Sequence, residues 1–190
     1  MSIQQIVKSV ITFYKSKRNH LAIGGGNYIG LDVKIVNCGE IRLGNNVIIR
    51  PSTGLYTNPG KCLTIGDGTE IGNHSTIAAH HEIIIEKDVL TGPHVFIADY
   101  NHDYRDVTLP VSKQGEFAPA DSKVVIGEGT WLGTNVVVVG KVHIGKHCVI
   151  GANSVVTRDI PDYSVAAGIP AKVIKRYDFE KKEWVRVKEN

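Results

Sequence analysis

Histidine is the side-chain type best suited to move a proton near neutral pH, and of the eight in this sequence His102 stands where a long irregular segment begins. It stands in Ala98-Asp99-Tyr100-Asn101-His102-Asp103, and imidazole titrates near neutral pH, so it can accept a hydroxyl proton and return it. Asn73, in Ile71-Gly72-Asn73-His74, carries an amide that both donates and accepts hydrogen bonds, although asparagine is also common at turns. His80 and His81 form a pair, and His143 and His147 lie close together further on. Metal ligands must converge, and these histidines fall at different phases of the surrounding repeat. Cys38, Cys62 and Cys148 are scattered and odd in number, which supports neither a disulfide framework nor metal spacing; a reducing compartment is expected.

The elements that position these groups follow from a six-residue period. From Ile126 the chain reads IGEGTW, LGTNVV, VVGKVH, IGKHCV, IGANSV, VTRDIP, with aliphatic slots at Ile126, Leu132, Val138, Ile144, Ile150 and Val156; the next slot, Asp162, breaks the pattern. Such a period is the mark of a parallel β-helix in which each hexad supplies one short strand and one turn. Three hexads close a triangular coil, and the inward aliphatic residues are buried only when coils stack. Upstream the same period runs through Ile29 and Ile35; Leu43, Ile49 and Leu55; Ile65, Ile71 and Ile77; and Ile85, Thr91 and Ile97, with Thr91 its weakest member.

Laid out in threes by face, the steps from first to second and from second to third face are always six. The steps back to the first face are eight (Ile35 to Leu43), ten (Leu55 to Ile65), eight (Ile77 to Ile85), twenty-nine (Ile97 to Ile126) and six (Val138 to Ile144). Every insertion therefore falls on one edge of the prism, the pattern of a binding side. The longest insertion is the loop 100–122, and long loops in compact domains are commonly functional.

The 190 residues suit one domain, and 20 glycines suit tight corners. A net charge of +3 lacks the dense basic character of a nucleic-acid binder. Residues 1–22 read as a helical segment in which Ile3, Ile6, Val7, Val10, Phe13 and Tyr14 recur at helical spacing, expected to pack on the body or on a partner subunit. No stretch has the roughly 20 apolar residues of a membrane span. Residues 23–161 form the repeat body, and 162–190 a return segment with one terminal strand or short helix.

Residues Ile126 to Ile160, followed by Ala167-Gly-Ile-Pro-Ala-Lys-Val173, resemble the hexapeptide-repeat acyltransferases. The resemblance is nearest to the galactoside and maltose O-acetyltransferases and the capsule or colanic-acid O-acetyltransferases. It covers most of residues 29–175. It implies a left-handed parallel β-helix, a homotrimer with active sites between subunits, acetyl-CoA as co-substrate and a cytoplasmic enzyme, with peripheral membrane contact as the lesser alternative. By the same resemblance His102 is the general base of a direct transfer to a sugar hydroxyl, and Asn73 contacts the acceptor; the residue types of the long loop, aromatic Tyr100, Tyr104 and Phe117 and polar Asn101, Asp103 and Arg105, suit stacking on and bonding a pyranose. Trp131 lines the channel for the pantetheine arm, and Thr134, Ala152, Thr157, Arg158, Lys172 and Lys175 line the coenzyme A groove. Small residues let a cofactor lie close to the coil, and cations meet phosphates. The family's acidic acceptor-binding residue near the N-terminus has no match in this sequence.

Three other readings compete. An N-acetyltransferase of amino or nucleotide sugars shares the same motifs. A γ-class carbonic anhydrase would carry a His-x4-His pair, but the fifth residue after His102 is Val107. A non-catalytic trimeric scaffold would not need His102 or the coenzyme groove.

Overall fold

The structure is a computed structural model and describes residues 3–187. The chain forms a parallel β-helix of six three-sided coils and part of a seventh, preceded by one helix, Ile3–Arg18. The three faces are sheets. The first holds strands Ala22–Ile23, Glu40–Leu43, Cys62–Ile65, Glu82–Ile85, Val124–Ile126 and Val142–Ile144. The second runs from Tyr28–Ile29 to Ser164–Gly168, and the third from Lys34–Asn37 to Val155–Val156.

The register is the one the period predicts. Ile23, Leu43, Ile65, Ile85, Ile126 and Ile144 are successive partners on the first face. Ile35, Leu55, Ile77, Ile97, Val138 and Val156 are partners on the third. Ile126, Leu132, Val138, Ile144 and Ile150 are fully buried, so each coil closes its apolar interior against the next. Thr91 keeps its place in the second-face stack, and its buried Oγ1 accepts the Gly72 N–H at 2.8 Å, where the inward aliphatic residues of this face accept the equivalent N–H with their backbone carbonyl.

Six-residue coils need a sharp turn at two of the three edges. The third residue after each inward one has positive φ there: Gly26, Asn46, Gly68, Asp88, Gly129 and His147 between first and second faces, and Asp32, Ser52, His74, His94, Asn135 and Asn153 between second and third, with Ser52 the one that is neither glycine, Asn, Asp nor His. Asn, Asp and His are the non-glycine residues that visit this region most readily. Three of the histidines are thus turn formers, and His74 and His94 stack at 5.0 Å down one edge.

The structure departs from the sequence expectation at both ends. The corner after Val156 is two residues shorter than a hexad, so Ile160 rather than residue 162 pairs with Ile144, and Ala166 pairs with Ile150. Asp162 turns outward, and its carboxylate accepts the Lys146 N–H. The solenoid therefore continues past 161. The return segment is two antiparallel strands, Ala171–Asp178 and Glu183–Arg186, which widen the second face.

The helix caps the first coil with its polar side. Thr12 Oγ1 accepts the Ile29 N–H, and Lys15 Nζ donates to the Gly30 carbonyl at 2.6 Å. Thr12 and Ser16 are buried, whereas Val7, Val10, Phe13 and Tyr14 face outward. The side chains of Ile3 and Ile6 lie outside the described part of the molecule. Among the described residues no helix is long and apolar enough to cross a membrane.

Candidate active site

The edge between third and first faces has no repeated turn, and all insertions gather on it. Asp99 organises this edge. Fully buried at the end of the Phe96–Ala98 strand, its carboxylate accepts the N–H groups of His80, His81 and Glu82 at 2.7, 2.8 and 2.6 Å. Three charge-assisted bonds offset the burial of an anion and fix the 80–82 corner of the coil below. The Ser122 hydroxyl donates to the Asp99 carbonyl, closing the root of the loop.

Within the loop, Asn101–His102 pairs antiparallel with Glu116–Phe117, His102 facing Glu116 in register. Glu116 Oε2 lies 2.6 Å from His80 Nδ1, and the His80 ring stacks on Tyr100 at 3.5 Å. Tyr100 meets His102 edge-on at 6.3 Å. Burial pushes the Tyr100 phenol above its ordinary range, with Glu116 and Asp99 adding to it, so the hydroxyl remains a donor. His102 itself is exposed; among the described residues no side-chain hydrogen bond or ion pair occupies its ring, so both nitrogens are open to an incoming group.

Asp103 points back into its own loop. Arg105 hydrogen-bonds its carboxylate and holds it down to about 2, and the guanidinium lies 4.0 Å over the Phe117 ring. The Asp103 carboxylate, Arg105 and Phe117 are therefore engaged with one another, and Asp103 shapes the loop that carries His102.

Beside this edge a cleft of about 350 Å³ opens on the third face, lined by Tyr56, Asn58, Thr76, His80, Phe96 and Tyr100 among others. Sequence reasoning named Tyr100 and weighed His80 only as a metal ligand, and it missed Tyr56, Asn58, Phe96 and Glu116. For two of these a signal exists: Tyr56 follows the inward Leu55 and Phe96 precedes the inward Ile97, so strand alternation turns both rings outward.

The remaining candidates divide between two edges. Trp131, Val149, Val165 and Lys175 form one outward row on the second face by register. Thr134 and Ala152 are exposed on the neighbouring edge with the third face, and Lys172 pairs with Ala167 at that edge. Asn73 lies on the same edge, its carbonyl accepting the His94 N–H. Gly133 lets the coils stack closely here: a Cβ at that position would come within 2.7 Å of the Ala152 nitrogen. Thr157 and Arg158 follow Val156 and stand exposed on the His102 edge instead. The structure thus brings His102, Asp103, Thr157 and Arg158 to one edge and Trp131, Thr134, Ala152, Lys172, Lys175 and Asn73 to the second face and its far edge. The third face lies between them, about six residues or ~20 Å across at roughly 3.3 Å per residue.

The bacterial transferase hexapeptide family, described as six repeats, matches residues 123–158. A putative lipopolysaccharide biosynthesis O-acetyl transferase of Escherichia coli K12 is 36% identical over 156 residues, 79% of each chain. The galactoside O-acetyltransferase of Lactococcus lactis is 38% identical over 149 residues, 74% of this chain and 69% of that one. The matched region spans between 54% and 79% of the length of such relatives. Among solved structures, the N-acyltransferase AntD of Bacillus cereus, in complex with dTDP and 3-hydroxybutyryl-CoA, superposes with a TM-score of 0.74 at 20% identity, covering 89% of this chain and 90% of that one; it speaks for the fold. Repeat, register and relatives agree: this chain belongs to the bacterial hexapeptide-repeat transferases and is an acetyltransferase.

Proposed function

We propose that the protein transfers the acetyl group of acetyl-CoA to a hydroxyl of a saccharide, with His102 as general base, at a site completed by two copies of the chain in a homotrimer. The observation that carries this reading is the division of the candidate residues between two edges of one prism. His102 and the aromatic cleft occupy one edge, and the strip of Trp131, Ala152, Lys172 and Lys175 occupies the other side. In a cyclic trimer the His102 edge of one copy meets the strip of the next, giving three identical sites.

The residues of the strip fit acetyl-CoA. Trp131 is half exposed and offers a flat apolar wall beside Val149. Ala152 leaves the edge open to a thin pantetheine arm, and Lys172 and Lys175 stand further along it for the phosphates. The cleft fits a pyranose: Tyr56 and Phe96 offer ring faces, while Asn58, Thr76 and the Tyr100 hydroxyl can bond sugar hydroxyls.

In the transfer, the acceptor hydroxyl oxygen attacks the thioester carbonyl carbon as His102 takes the hydroxyl proton. The tetrahedral intermediate then collapses, the C–S bond breaks, and the leaving thiolate takes the proton from the imidazolium. The Escherichia coli and Lactococcus lactis relatives are both named for O-acetyl transfer, which favours hydroxyl over amine.

The test is a release assay for free coenzyme A thiol with acetyl-CoA and a panel of saccharides, nucleotide sugars and amines, using the parent and His102→Ala. Transfer to a saccharide hydroxyl is expected. The variant should lose about 10²–10⁴-fold in rate while binding acetyl-CoA as the parent does. Transfer to amines alone, or a variant within a few-fold of the parent, contradicts the reading.

A further inference from the structure

The N-terminal helix is attached by its polar side. Thr12 and Ser16 are buried on the first coil, and Lys15 is spent on the Gly30 and Val33 carbonyls. The opposite side is apolar and uncovered: Val7 is 50% exposed, Val10 61%, Phe13 63% and Tyr14 61%. A helix serving only to cap the coil would turn this side inward, since burying it is the larger gain. Its charge is as one-sided as its polarity. Lys17 and Arg18 sit at its C-terminal end, Lys17 Nζ 5.8 Å from the Phe13 ring, and no acidic residue precedes Asp32 in the sequence.

We infer that this helix lies on an anionic lipid bilayer. Val7, Val10, Phe13 and Tyr14 would enter the boundary between headgroups and acyl chains, with Lys17 and Arg18 on lipid phosphates. Charge chooses the bilayer over a second copy of the helix. A second copy of the helix offers Lys17 and Arg18 no counter-charge, since no acidic residue precedes Asp32 in the sequence. An anionic surface instead supplies that counter-charge to both Lys17 and Arg18. Apolar insertion and basic attraction are the two signals that together make a reversible anchor stable.

The experiment is co-sedimentation of the full chain with phosphatidylcholine vesicles and with mixed phosphatidylcholine–phosphatidylglycerol vesicles, at low and high salt. Melting curves and sedimentation velocity establish that each variant keeps its fold and assembly. Binding is expected only to the mixed vesicles and should weaken with salt. The double variants Val10→Asp/Phe13→Asp and Lys17→Glu/Arg18→Glu should each lower partitioning by more than about tenfold. The inference is overturned if the parent stays in the supernatant with mixed vesicles, or if it binds neutral vesicles equally. It also fails if Val10→Asp/Phe13→Asp binds like the parent, or if that variant dissociates the assembly, which would give the face to a neighbouring copy.

Discussion

Histidine plays two roles in this chain, and the backbone separates them. His74, His94 and His147 occupy left-handed turn positions and stack along the edges, His147 on Tyr163 at 5.5 Å. His102 sits on an extended loop strand with an open ring. Imidazole at a turn serves shape, and the open His102 ring beside Tyr100 is the one proposed to serve chemistry. His80 stands between these roles: its Nδ1 is engaged by Glu116 and its ring by Tyr100, so it fixes the wall against which His102 stands. The cleft itself gives a prediction. Tyr56 and Phe96 face outward into it and neither belongs to the coenzyme strip. Removing either ring, as Tyr56→Ala or Phe96→Ala, forfeits an aromatic contact of about 0.5–1.5 kcal/mol and should raise the acceptor KM roughly two- to tenfold. The KM for acetyl-CoA should stay unchanged. Bisubstrate kinetics check this, and an equal rise in both constants would place the acceptor elsewhere.

The repeated strand and turn are where sequence and structure agree most closely, and Thr91 shows why. It breaks the aliphatic series, yet the register passes through it, because its hydroxyl stands in for a carbonyl toward the Gly72 N–H. Thr91→Val keeps the shape and removes the acceptor. The variant should lose about 1–3 kcal/mol of stability in a denaturant titration, while Thr91→Ser, which keeps the hydroxyl, should be spared the hydrogen-bond part of that loss. A Thr91→Val variant as stable as the parent would mean that Gly72 finds another partner. A period of six fixes both which residues turn inward and which pair, so the register from Ile29 to Val156 was legible. The shortened corner at Ile160 was not, since the outward Asp162 occupies the expected slot and only stacking on Ile144 reveals the slip. The facing of the helix was hidden too. Helical spacing shows that one stripe is apolar; it does not show that Thr12 and Lys15 satisfy the backbone of the first coil. The hairpin that carries His102 was legible as a long loop and no further, because aperiodic contacts such as Asp99 to residues 80–82 and Glu116 to His80 build it.

In the proposed trimer, a prism with its insertions on one edge and its small residues on another supplies half of each of two sites. His102 and Trp131 face different sides of the molecule, and the third face separates them. The central claim is that the acetyl-transfer centre is assembled from the His102 edge of one chain and the Trp131–Ala152 strip of the next. Mixed assemblies of two inactive variants test it most directly. His102→Ala lacks the base and keeps the strip, while Ala152→Trp keeps the base and obstructs the strip. Each should be inactive alone yet fold and assemble as the parent does, since both positions are exposed. Unfolded together and refolded as mixed trimers, they form interfaces that join an intact His102 to an intact strip. The account predicts that acetyl transfer returns to a substantial fraction of the parent rate. Mixed trimers as inactive as the two variants alone would contradict it and place both halves of the site within one chain.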